Sequence, residues 1–162
     1  MKTTRKQGFT LIELLIVIAI IGILAVAFLP SLLGAPAKGR DTQRVADVQK
    51  IQKVLVNANL EGGAYPATQC INAAGTFDDD YLAEFGGTLP SDPQATNVVN
   101  GCAAGTYSYI KAPSADYSFG LYAHVEEWET ANAVCTTAFT GIVTKPAEGS
   151  DAATWCYAVL TQ

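Results

Sequence analysis

From Phe9 to Leu29 the chain (FTLIELLIVIAIIGILAVAFL) has no polar face: 15 of its 21 residues are Leu, Ile, Val or Phe, and Glu13 is the single charge. As a helix rising about 1.5 Å per residue, the stretch spans roughly 30 Å, the hydrocarbon thickness of a bilayer. Each of those apolar residues favours insertion by about 0.3–0.6 kcal/mol, and together they outweigh the ~3 kcal/mol cost of one carboxylate. The pattern predicts a membrane-spanning helix over 9–29. Helical character then continues, with Pro30 and Pro36 expected to weaken or bend it, since each lacks an N–H and crowds the preceding turn. Gly22 and Gly34 cost about 1 kcal/mol each relative to Ala. Residues 41–60 are amphipathic, with Val45, Val48, Ile51, Leu55 and Ala58 recurring every three or four positions. Arg40, Arg44, Lys50 and Lys53 alternate with Asp41 and Asp47 on the remaining faces. Such a stripe predicts a helix packed on a sheet; a partner-binding helix is the competing reading.

Glu61-Gly62-Gly63 is a stop signal, and Tyr65-Pro66 forces extended backbone. Residues 61–105 read as a turn-rich loop region with one short helix, capped by Asp78, apolar at Tyr81, Leu82 and Phe85, and ended by Gly86-Gly87. Two prolines fix a turn in Leu89-Pro90-Ser91-Asp92-Pro93. Over 106–162 the period changes to two. Strands are predicted at Thr106–Lys111, Tyr117–Val125, Phe139–Thr144 and Trp155–Leu160, with a turn across Ala112–Asp116. The expected class is α+β: a long N-terminal helix whose second half, 41–60, packs on an antiparallel sheet of about four strands.

At 162 residues there is room for one sizeable core, in a head expected over 30–162. A hydrophobic share of 49% excludes a disordered chain, while 15% charged residues is well below the roughly 25% usual for soluble domains. The net charge of −5 argues against nucleic acid as the primary ligand. Its distribution says more. Residues 1–8 carry Lys2, Arg5 and Lys6 and no acid, so the rest of the chain stands at −8. A basic cluster before an apolar span keeps the N-terminus cytoplasmic and sends the head across the membrane. A secretory signal cleaved near Ala35-Pro36-Ala37 is the competing reading, but its apolar region is about 7–15 residues and has no acid near its start. A plain single-pass anchor is the other.

Glu13 separates these readings, because an ionisable residue inside a span is costly and marks function. Gly8-Phe9-Thr10-Leu11-Ile12-Glu13 resembles the prepilin signature of the type IV pilin and pseudopilin family. In that family a basic leader ends in Gly, the mature chain opens with Phe, and its fifth residue is Glu. The resemblance is close over 1–36, where Gly22 and Pro30 fall at the family's helix-weakening positions. It implies that residues 1–8 are removed by a prepilin peptidase, a membrane aspartic enzyme that cuts between Gly8 and Phe9 and methylates the Phe9 amine. It also implies that Glu13 pairs with a neighbouring subunit's amine and sets the stagger of a growing filament. A carboxylate snorkelling to the interface without a partner is the alternative.

Cys70, Cys102, Cys135 and Cys156 all follow the span, where an oxidising compartment is expected. Three connectivities are open; Cys70–Cys102 with Cys135–Cys156 closes the most local loops, and the second pair resembles the C-terminal disulfide loop of pilins. No C-x-x-C occurs, and the one histidine, His124, does not complete a zinc site, so no metal and no cofactor are expected. Asp78-Asp79-Asp80 raises calcium, which some pseudopilins bind, but it lacks the alternate spacing and downstream acid of a known loop. His124 reads as a half-exposed strand residue, and no nucleophile elbow or phosphate loop is present. The expectation is a structural subunit and no enzyme. It forms a type IV pilus or related filament as a homo-oligomer, and its partners are the prepilin peptidase, the inner-membrane assembly platform and that platform's ATPase. It resides in the membrane before assembly and on the cell surface afterwards. The alternatives are a pseudopilin of a type II secretion or competence system, and a membrane-anchored binding or adhesion domain.

Overall fold

Thr10 starts the first helix. Its backbone is extended (φ −82°, ψ 150°), and its side chain accepts a hydrogen bond from the Glu13 amide, one of the donors that a helix start leaves unpaired. The computed structural model describes residues 8–71, 77, 81–94, 99–114, 116–135 and 144–162. Helix α1 runs Leu11–Leu33 and helix α2 Ala35–Leu60. The helix continues through Gly22 and Pro30, although Pro30 has no N–H to donate, and Gly34 is the residue that separates the two helices. Pro36 does not break α2 either, because it occupies the first turn, where a missing N–H leaves nothing unsatisfied. The chain divides into two compact units, one ending at Pro36 and the other Ala37–Gln162.

In the second unit, α2 buries Asp41, Arg44, Val48, Ile51 and Leu55, spaced three and four apart along one face. Val45 and Ala58 are only partly covered. The stripe is where the sequence places it from Val48 to Leu55, but its N-terminal end is ionic. After Leu60 the amides of Glu61, Gly62 and Gly63 fold back onto Asn57, Asn59 and Ala58 carbonyls. Gly62 takes φ +97°, a left-handed conformation that glycine adopts without steric cost.

The sheet has five strands: β1 (Gln69–Ile71), β2 (Tyr107–Ser114), β3 (Tyr117–His124), β4 (Ala133–Val134) and β5 (Trp155–Thr161), in the order β1-β2-β3-β5-β4, all antiparallel. Two of them are not predicted as strands by the sequence: β1 lies in the region read as loop and β4 between predicted strands, since three and two residues are too few to show alternation. The predicted strand at Phe139–Thr144 lies outside the described residues apart from Thr144, which is irregular. Asp78, Asp79 and Asp80 are likewise outside them. Tyr81 is helical, and Leu82–Phe85 forms a short 3-10 turn before Gly86. The predicted Ala112–Asp116 turn is shorter than expected: Ala112 takes φ 48° in a bulge, the β2–β3 register shifts after Lys111, pairing resumes at Ser114 with Tyr117, and Asp116 lies in the turn.

Alternation along the strands divides the core in two. Tyr107, Tyr109, Phe119, Leu121 and Ala123 join Val48, Ile51 and Leu55 of α2, together with Ile71, Phe77 and Phe85. Ile110, Tyr122, Cys156 and Ala158 face the other way and pack with Val99, Ala133 and Cys135. Both faces of the central strands are therefore buried, so this small head orders most of its apolar side chains.

Candidate assembly site

The junction predicted to be cut is accessible. Gly8 is exposed, and a Cβ added to it would meet nothing within 4 Å. Phe9 is 82% exposed. Glu13 is held by a capping box that sequence reading overlooked, although Thr10-Leu11-Ile12-Glu13 has the T-x-x-E spacing that defines one. Its Oε2 accepts the Thr10 amide at 2.8 Å and the Thr10 hydroxyl at 2.7 Å. The other oxygen, Oε1, has no hydrogen bond among the described residues. The carboxylate thus lies at the N-terminal end of α1, where the helix dipole favours negative charge, with one oxygen secured and one open. Beyond it, Leu11–Phe28 has a mean hydropathy of 3.0 and none of it is buried. A helix apolar all round, with none of its span buried among the described residues, is built for lipid or for other helices. Gly22 lies within this span and Pro30 follows it, both inside α1.

A second constellation lies in the head. Arg44, which sequence reading places off the apolar stripe, is 1% exposed and grips three carboxylates. Its Nε and Nη2 fork onto Asp92 at 2.9 and 2.8 Å, and its Nη1 donates to Asp41 and Glu126, each at 2.7 Å. Asp41, also 1% exposed, accepts the backbone amides of Glu126 (3.0 Å) and Glu127 (2.9 Å). Arg40 Nε donates to Glu126 at 2.7 Å. Two guanidinium groups and three carboxylates thereby fasten the first turns of α2 to the Asp92 loop and to the turn after β3. The guanidinium groups of Arg40 and Arg44 hold the Glu126 carboxyl at about 2, well below its ordinary value. Hydrogen bonds to Asp92, Glu126 and Asp41 outweigh burial and raise Arg44 further. The sequence did carry a signal: positions 41, 44, 48, 51 and 55 form one helical row, so two charges stood in line with the apolar stripe.

His124 also departs from expectation. It is 3% exposed, not half-exposed, because the Ala152–Thr154 turn covers the end of β3 and the Ala152 carbonyl lies 3.1 Å from Nε2. Burial lowers its pKa. The cysteines form Cys70–Cys102 and Cys135–Cys156, and none is free. Among the described residues no three His, Cys, Asp or Glu side chains converge to hold a metal ion.

Residues 3–29 match the prokaryotic N-terminal methylation motif. Proteins named type II secretion system core protein G are similar to this chain. The one from Aeromonas hydrophila is 36% identical over 69 residues, 43% of this chain and 48% of the relative. That of Vibrio cholerae is 41% identical over 69 residues, covering 42% and 47%. In both, the match spans about half the relative's length. With the Escherichia coli K12 protein it extends over 140 residues at 31% identity, 78% of this chain and 93% of the relative. No solved structure matches.

Proposed function

This chain belongs to the type IV pilin and pseudopilin family, and on that premise we propose that it is a structural filament subunit, cut after Gly8 and polymerised through α1. The observation that carries this reading is the unburied apolar helix with one carboxylate in its first turn, three residues after the Thr10 cap, and near an accessible Gly8-Phe9 bond. Cleavage there turns the Phe9 amide into a cationic amine. Inside a membrane such a charge needs a partner, because breaking a buried ion pair typically costs about 3–5 kcal/mol. The open Oε1 of Glu13 offers one to a neighbouring subunit while Thr10 keeps Oε2, so capping and pairing do not compete. The head contributes no reaction chemistry; it is a folded load carried by the helix. The chain stays in the membrane until it is drawn into the filament, with the prepilin peptidase, the assembly platform and its ATPase as partners.

The names of the relatives favour a secretion filament over a surface pilus, since all those compared are called type II secretion core proteins. Intact mass of the membrane-extracted subunit tests the maturation step. The expected chain begins at Phe9 and carries one added methyl group. A chain beginning at Met1, or after Ala37, overturns the reading.

A further inference from the structure

Five residues of α2, Gln52, Lys53, Val56, Asn57 and Leu60, line an open groove of about 310 Å³, in which Gln52 donates to Thr161 of β5 at 2.9 Å and Val56 is partly packed against the core. Two features distinguish it from ordinary surface. Leu60 is 79% exposed, and among the described residues it is the one large apolar side chain outside the N-terminal span that stands so far into solvent. Isolated exposed leucines are common, but this one shares its groove with Val56 and the stem of Lys53, at the i, i+3, i+7 spacing that a docking surface reads along a helix.

The second feature is charge. After residue 33 the chain has fourteen acidic side chains and seven Lys or Arg. Five of those seven are engaged. Arg40 and Arg44 are ion-paired, Lys50 lies over the Phe85 ring at 5.2 Å, Lys145 lies over Trp128 at 4.0 Å, and Lys111 donates to the Tyr65 carbonyl at 2.9 Å. Among the described residues only Lys38 and Lys53 have no such partner. A strongly acidic head therefore keeps a cation in reserve, beside its most exposed leucine.

We infer that this groove docks a second copy of the chain, whose surplus carboxylates answer Lys53 and whose apolar surface covers Val56 and Leu60. The inference rests on the filament reading and deepens it. A helical filament needs heterologous contacts, in which one patch meets a different patch on the next copy. A groove that sets an unpaired lysine beside exposed apolar surface, with Glu61 held at its edge by Asn57, is one half of such a contact. The same complementarity gives register, since head against head at the acidic surfaces repels.

The test uses filaments of the full chain, treated with a carbodiimide that joins lysine directly to carboxylate. Covalent dimers should yield a peptide linking Lys53 to an acidic residue of another copy, and Lys53→Ala should remove that product. Leu60→Asp should lower filament yield about thirtyfold, the size of a hot-spot loss, while the melting temperature of the membrane-held subunit stays unchanged. Dimers without a Lys53 linkage, a Lys53 linkage to a different protein, or wild-type filament yield from Leu60→Asp overturns the inference. Wild-type filaments that still depend on Glu13 would leave the filament reading standing in each of those cases. A wild-type chain that forms no filament removes both.

Discussion

Arg44 is the residue on which the head's charged side chains converge. Buried ions are tolerated only when paired and hydrogen-bonded, and here each member is: Arg44 by three carboxylates, Asp41 by two amides and a guanidinium, Glu126 by two guanidinium groups. Arg44→Met keeps most of the volume but strands Asp41 and Asp92 without their cation. The expected loss is about 3–5 kcal/mol, read as a lowered thermal midpoint of the full chain in detergent. Lys at this position should recover only part of that loss, because an ammonium cannot fork onto Asp92. The same residues set the acid response. Glu126 has a folded pKa near 2, below its unfolded value of 4.5, so its stabilisation is complete above that value and fades as pH falls toward 2. His124 acts in the same direction at higher pH: its folded pKa lies below 6.5, so stability declines once pH drops under that value. Asp47, whose carboxyl is raised by burial, works the other way above 3.8. Thermal midpoints should therefore fall in two stages between pH 7 and 2, and Glu126→Gln should flatten the lower stage.

Among the elements, those long enough to show a period were legible and the short ones were not. Helix α1 needs only hydropathy, and α2 shows its stripe from Val48 to Leu55. The strands β2, β3 and β5 alternate over seven or eight residues and lie close to their predicted ranges. In contrast, β1 and β4 owe their conformation to neighbours, β1 to Tyr107–Tyr109 and β4 to Trp155 and Cys156. The ionic end of α2 was missed for a related reason. A charge in sequence looks solvated unless its partners are known, and Asp92 and Glu126 lie 48 and 82 residues from Arg44. For Glu13 the reverse holds, because its cap partner is three residues away and the spacing alone reveals it. Element β4 also gives a prediction. The Cys135–Cys156 bond joins its end to β5 across 21 residues, and closing a loop of that length restricts the unfolded chain by about 3 kcal/mol. Cys135→Ser with Cys156→Ser should lower the thermal midpoint accordingly and open the β4 edge to protease, leaving β2–β3 pairing intact.

At the scale of the molecule, two tasks are assigned to two units. One is a helix with an unburied apolar surface and a capped carboxylate; the other is a disulfide-bonded α+β head fastened by the Arg44 cluster. The division predicts that changes in one leave the other working. Glu13→Ala removes a charge from the span, so insertion should if anything improve, and the head, far along the chain, should melt as before. Only incorporation should fail, since each arriving subunit then buries the Phe9 amine without a partner, at a cost of about 3–5 kcal/mol. The most direct measurement is the ratio of sheared filament to membrane-held mature subunit, in wild type and in Glu13→Ala. The account predicts a fall of about a hundredfold to several thousandfold, the equivalent of that cost, with cleavage before Phe9 unaffected. An unchanged ratio would contradict it, and would leave α1 a simple anchor.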